Sequence, residues 1–417
     1  MGRLRCTALL AGIATWCVAC APVADTSPVS RPPPDDTREP EIRVGVVVDA
    51  NTVTLGGGDA LTLRDETGVV ILNLDAEGVV RVTAQGDRMS HAVAGAVIGP
   101  MLALTVRPTE PSGFVRVDGT DYRGSLHLNA AGSRILVVNR LGLEAYLVGV
   151  VNAEMGARGL NELEALRAQA VASRTFAYKM LGRYRRLGYD VLGTVADQAY
   201  AGVARELPQG HEAVGTTRGL VLTYDGAVID AFFHSTCGGR TAAGEEVFAD
   251  GRRPYLQSVS DASPDGSSWC SISPRYRWQE QWDASALREA LRQTLPPIGI
   301  AQSQIGIPRD VLVAAKTGSG RVAEIVIRLN DRSVPVRGAA IRQVLRPVSG
   351  GLLRSSSFRL TASHGRNEIA HLVADGGGAG HGVGLCQWGA VGRARGGQSA
   401  EQILSTYFPG TSLVRQW

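Results

Sequence analysis

Three short segments carry residues whose types and spacing could do chemistry. Glu154 closes an apolar, strand-like run, Val150–Met155, and opens onto a loop with Gly156 and Gly159, its nearest cationic neighbour along the chain being Arg158. A carboxyl group partly removed from water keeps its proton to higher pH, which suits a general acid that protonates a glycosidic oxygen. The second segment, His234-Ser235-Thr236-Cys237-Gly238-Gly239-Arg240-Thr241, places several polar groups in one turn. Its glycines let backbone approach a ligand closely. His234 and Cys237 could be a thiol nucleophile with its base, two metal ligands, or part of a substrate-binding rim. The third segment, Gly376 to Cys386, repeats the combination of glycines, a histidine (His381) and a cysteine. It lacks the terminal Lys-Ser/Thr of a phosphate cradle, so it gives no reason to expect nucleotide binding. With Cys270, the two His/Cys turns offer either a closed structural metal site built from Cys237, Cys270 and Cys386, or a disulfide between two of them, or free buried thiols.

The elements that must hold these residues are legible in part. The chain has 417 residues, 44% hydrophobic and 20% charged, which is a globular composition with room for two or three folded units. Its 43 Lys+Arg against 39 Asp+Glu give a formal charge of only +4, which excludes a strongly electrostatic nucleic-acid binder. The 51 glycines and only 6% aromatic residues predict many tight turns and short strands. From residue 42 to 139, β-branched runs alternate with turn residues, as at Val44–Val48, Val53–Leu55, Val69–Leu74, Val79–Thr83, Met101–Val106, Phe114–Val117, Leu126–Leu128 and Ile135–Asn139. This reads as a β-rich N-terminal region of antiparallel sheets. His91 and His127 stand alone within it and suggest no site.

Beyond residue 140 the pattern turns mixed. Ala165, Ala168, Gln169, Ala172, Phe176 and Met180 recur at helical steps, predicting a long, closely packed helix over Asn161–Arg185. A helix is also predicted at Ala284–Gln293, a strand pair at Val311–Ala315 and Val322–Leu329 joined by Gly318-Ser319-Gly320, and a helix after Gln387-Trp388-Gly389-Ala390. At the other end, Arg3 and Arg5 precede an apolar stretch, Ala8–Ala19, that is too short for a membrane span and suits a secretory signal. Cys17-Val18-Ala19-Cys20 resembles a lipobox, so residues 1–24 read as a lipoprotein signal with Cys20 lipidated, the alternative being cleavage by a general signal peptidase. Residues 25–41, with five prolines, read as an extended tether. The protein is expected in the cell envelope, touching membrane only through that anchor.

From about Tyr122 onward the motifs resemble the stage II sporulation protein D family, the SpoIID/LytB domain. The matching stretches, in family order, are Leu143–Leu147, Glu154-Met155, Glu164–Thr175, Asp197-Gln198 with Tyr200 and Gly202, His234–Thr241, and His381–Ala390. The resemblance implies an α+β fold: a SpoIID-like domain of mixed sheets around the Ala-rich helix, spanning 140–417, behind the β-rich region 42–139. It further implies a lytic transglycosylase cutting the β-1,4 bond between N-acetylmuramic acid and N-acetylglucosamine in glycan strands that lack stem peptides, leaving 1,6-anhydro ends. The catalytic acid/base falls on Glu154. Arg174, Gln198, Tyr200, His234, Ser235, Thr236 and His381 are the candidates for sugar contacts or for orienting Glu154. One carboxyl group can serve both steps of that reaction, so no second carboxylate and no cofactor is required for the chemistry; a zinc ion, if bound, would be structural. Other family members enhance a cell-wall amidase, so the alternative is a murein-binding enhancer with such an amidase as partner. The sequence departs from the family pattern in three places. Gly156 follows Glu-Met where Pro and Trp are common, Ala379 replaces a Trp before Gly-His-Gly, and Cys270 stands alone in a region that often carries a cysteine pair.

Overall fold

The computed structural model describes residues 38–93 and 96–417. The expected signal, the expected lipidation at Cys20 and nearly all of the expected tether lie outside the described residues. The tether ends earlier than expected. The backbone N–H of Glu144 donates to the Glu39 carboxylate at 2.9 Å, Arg218 pairs with the same carboxylate, and the first strand begins at Glu41. Among the described residues no helix is long and apolar enough to cross a membrane.

The fold is α+β. Two antiparallel sheets form the N-terminal half. One runs in the order 191–192, 41–50, 134–142, 125–131, 103–108, 61–65, 70–74, the first pair being parallel, and the other 120–122, 115–117, 52–56, 80–85, 88–93, 96–101. Side chains alternate across each strand, so Val53, Leu55, Leu61, Leu63, Val80, Val82, Leu104, Val106, Leu126, Leu128, Ile135 and Val137 all enter one core. The expected strands are present. Strands are also present at 61–65, 88–93, 96–101 and 120–122, where the run is short, carries charged residues or, at 96–101, holds Gly99-Pro100.

The boundary expected at 139/140 falls inside the strand Arg134–Gly142, which passes straight into helix α1 (Leu143–Met155). The strand-like run before Glu154 is therefore the last part of a helix. Leu143, Tyr146, Leu147, Val150, Val151 and Met155 are all buried and share the core of the sheets. A helix covered on every side shows no amphipathic period, and its β-branched valines imitate a strand. Gly156, at φ 72°, ends it.

Helix α2 (Leu163–Met180) is the Ala-rich helix and stops five residues short of its predicted end. It packs against α1, α3 (Pro208–Thr216), α6 (Gln387–Arg395), α7 (Ala400–Tyr407) and the strand 220–224. Its small residues Ala165, Ala168, Ala170, Ala172 and Ala177 allow that many neighbours to approach.

Residues 277–377 form a lobe with a core of its own, built on Trp282, Leu287, Leu291, Ile325, Ile327, Val336, Ile341, Val344 and Leu372. It holds two three-stranded sheets, α4 (Ala284–Thr294) and α5 (Ala340–Val344). The predicted strand pair is present at 310–316 and 322–328. The lobe enters and leaves through one antiparallel pairing, Arg277 opposite Gly377. It is thus an insertion whose closed ends bring the His234 turn and the His381 loop together.

Candidate functional site

Glu154 lies in the last turn of α1, half-buried. The Ala199 backbone N–H donates to its Oε1 at 2.7 Å, and Gln387 Nε2 donates to its Oε2 at 3.2 Å. Burial pushes the carboxyl above its ordinary range, while these two donors pull the other way. Burial thus favours the protonated acid, and the two donors are in place to hold the carboxylate. Its folded-state contribution is most favourable below the ordinary carboxyl range and is lost as pH rises through the raised value. Glu154→Gln is accordingly expected to raise Tm at pH 7–8, the difference disappearing near pH 4 in paired thermal melts.

The residues around Glu154 explain the Asp197-Gln198-x-Tyr200 motif. Asp197 accepts from the Leu192 N–H at 2.8 Å and pairs with Arg183 at 3.1 Å. Gln198, fully buried, accepts from the Tyr146 hydroxyl at 3.0 Å and donates to the Ser173 carbonyl at 3.4 Å, tying the segment to α1 and α2. The hydroxyl of Tyr200 donates to Asn139 Oδ1 at 2.8 Å, and its ring lies 4.9 Å from Tyr146 and 5.6 Å from Tyr122. Gln198 and Tyr200 are thus buried supports, and what the segment offers Glu154 is the backbone N–H of Ala199, between them.

Arg174 is likewise a residue of the core. It is wholly buried, its Nε and Nη2 donating to Glu144 at 3.0 and 2.7 Å and its Nη1 and Nη2 to the Leu220 and Val214 carbonyls at 3.3 and 3.2 Å. A guanidinium at the centre of an Ala-rich interface must find such partners, because an unpaired buried charge is costly.

The His234 turn and the His381 loop meet as a parallel pair, Phe233 opposite Leu385 and His234 opposite Cys386, with Thr236 bridging to Ala379. His234 is buried and donates from Nδ1 to the Val383 carbonyl at 3.2 Å. Burial, then His381 and Arg321, hold it well below the ordinary histidine range. His381 packs against Phe232, Phe248 and His234, its Nδ1 accepting from the Val383 N–H at 3.1 Å, and burial pushes it down to about 4. Both imidazoles are neutral at physiological pH and hold the two loops. The buried Thr236 hydroxyl bonds Ser273 at 2.8 Å, whereas Ser235 is half-buried and its carbonyl accepts from the Trp388 N–H at 3.0 Å. Of the candidate contacts, Ser235 and His381 are the ones not fully buried.

Two glycines let these loops touch. Gly238 and Gly378 both have φ near +79°; a Cβ on Gly238 would lie 2.8 Å from Gly377 C, and one on Gly378 2.5 Å from Thr236 O. Gly378→Ala is expected to cost at least about 1–2 kcal/mol in denaturant unfolding, from the left-handed backbone alone.

Sequence reasoning missed four groups. They are the Ala199 N–H; Gln387; the Arg158 guanidinium, stacked 4.5 Å over the Trp388 ring beside Gln387; and Asp261. Gln387 and Trp388 stood in a quoted motif, but nothing in sequence ties them to a residue more than two hundred positions away. Asp261 lies with Cys237, Cys270 and Cys386 in a buried cluster whose ligand atoms are all within 4.8 Å of one another. None of the three cysteines is disulfide-bonded.

Known proteins resemble this chain over much of its length. The family model described as "Stage II sporulation protein" matches residues 131–224, and a domain of unknown function matches 269–384, close to the inserted lobe. An uncharacterized protein of Brachyspira hyodysenteriae is 32% identical over 302 residues, 72% of this chain and 73% of that protein. Stage II sporulation protein D of Bacillus subtilis is 30% identical over 291 residues, 66% of this chain and 75% of the relative. The amidase enhancer of the same organism is 26% identical over 341 residues, 75% of this chain but 47% of the relative. With the family model matched and a 30% identical relative covered over 75% of its length, the chain belongs to the stage II sporulation protein D (SpoIID/LytB) family.

Proposed function

We propose that this protein is an exported lytic transglycosylase of the cell envelope, acting on peptide-free peptidoglycan strands with Glu154 as its single acid/base. The observation that carries the reading is the state of Glu154: half-buried, raised by desolvation, yet held on both oxygens by N–H donors. Such a carboxyl is favoured as an acid by burial and steadied as a base by its donors. In the first step the acid protonates the glycosidic oxygen as the bond from C1 of N-acetylmuramic acid breaks, releasing the N-acetylglucosamine hydroxyl. The carboxylate left behind then takes the proton of the muramyl 6-hydroxyl, whose oxygen attacks C1 and closes the 1,6-anhydro ring. No water is consumed and the carboxyl returns to its starting form. The Ala199 N–H and Gln387 amide steady the carboxylate between the steps. A lipid anchor at Cys20 followed by the tether would let the domain reach the wall.

The relative named amidase enhancer supports a second reading, a murein-binding partner of an amidase that cuts no glycan itself. The two separate in one assay. Purified sacculi are incubated with the protein alone, with an amidase alone, and with both, and released sugars and peptides are quantified. Transglycosylase action predicts soluble anhydro-ended glycan in the mixed sample, where the amidase has bared the strands; a mixed sample that releases extra peptide but no soluble glycan would favour the enhancer.

A further inference from the structure

We propose that Cys237, Cys270, Cys386 and Asp261 bind one thiophilic divalent cation of the zinc class, in a closed tetrahedral site behind the two facing loops. The donors come from four separate places: the turn after strand 233–234, the Asp261 loop, the short helical turn Trp269–Ile272, and the N-cap of α6. All four side chains are at most 1% exposed. The spacing fits the ion. Cys237 Sγ lies 3.5 Å from Cys270 Sγ and 3.5 Å from Asp261 Oδ2. Zn–S bonds of about 2.3 Å and a Zn–O bond of about 2.0 Å put tetrahedral S–S and S–O edges at about 3.8 and 3.5 Å.

Backbone N–H groups already point at the ligand atoms. Cys386 Sγ accepts from the Cys237 and Gly389 N–H groups at 3.2 and 3.3 Å, and Cys237 Sγ accepts from the Gly239 N–H at 3.4 Å. Asp261 Oδ2 faces the sulfurs and accepts from the Cys270 N–H at 3.0 Å, while Oδ1 accepts from the Tyr407 hydroxyl at 2.7 Å and Arg393 at 3.4 Å. This is how an outer shell fixes a ligating carboxylate. Binding would displace the three thiol protons to solvent; three thiolates, one carboxylate and a dication leave a net −2, partly offset by Arg393. The alternatives fit less well. A thiol nucleophile needs access that these buried sulfurs lack, and a disulfide would use two sulfurs and strand the third beside a buried carboxyl. The closed shell makes the site structural. It also fixes the first turn of α6, whose Gln387 donates to Glu154.

The test is the metal content of the full protein, produced with zinc in the medium and desalted into metal-free reducing buffer. Plasma mass spectrometry should find about one zinc per chain. Exchange for cobalt(II) should give sulfur-to-cobalt charge transfer in the near ultraviolet with the strong visible bands of a tetrahedral site. Cys270→Ser should remove about a third of the charge-transfer intensity, and Asp261→Asn should shift the visible bands while keeping that intensity. Chelation should lower the thermal midpoint, reversibly with zinc and not with magnesium. The wild-type results stand even if a variant fails to fold. Zinc far below stoichiometric with no cobalt band overturns the proposal. So does peptide mapping that finds any two of Cys237, Cys270 and Cys386 joined in a disulfide in the isolated protein.

Discussion

Glu154→Gln should lower the rate of glycan-strand cleavage by about 10³–10⁴-fold, the upper part of the range for general acid–base catalysis, because the same carboxyl is used in both steps. The amide is the same size, so with the Gln387 amide turned over it can keep the Ala199 and Gln387 contacts, and strand binding should change little. The loss should therefore fall on kcat rather than KM. Time courses of strand scission with both proteins check this. A variant within tenfold of the parent would remove Glu154 from the chemistry. The predicted rise in Tm at neutral pH should accompany the loss of rate: a carboxyl held out of water is a local cost to the fold.

The second large effect lies well inside the protein. Arg174→Met should destabilise by about 3–5 kcal/mol, since it leaves the Glu144 carboxylate buried without its cation. It would also remove the Arg174 hydrogen bonds to the Val214 and Leu220 carbonyls. Guanidinium unfolding measures the loss directly. The double variant Arg174→Met/Glu144→Leu should recover part of it, because no lone charge remains. At a temperature where the single variant is still folded, cleavage should be close to normal. A large activity loss without destabilisation would instead make Arg174 a sugar contact.

That contrast marks what could be read from sequence and what could not. The Ala-rich helix announced itself through its period and small residues, and the strands from 41 to 142 through β-branched runs and turns. Glu154 was legible from its apolar neighbours and from the motif. The form of its support was not. In α1 every face is buried, which erased the helical period and made its end look like a strand. Arg174, Gln198 and Tyr200 were visible as polar residues in motifs, but whether a polar side chain faces a ligand or the core depends on packing. Here they face the core and are fully bonded within it. Asp261 was hidden for another reason. Its partners lie 24, 9 and 125 residues away: the bridge between Arg240 and Ser260 sets Cys237 beside it, and the closure of the inserted lobe brings Cys386.

The central claim is tested most directly by the mass of the new ends made from purified, peptide-free glycan strands. The proposed mechanism predicts fragments ending in 1,6-anhydro-N-acetylmuramic acid, lighter by one water than the hydrolysis products, and none from Glu154→Gln. Reducing ends, or intact strands after incubation under conditions in which a control enzyme cuts them, would contradict it.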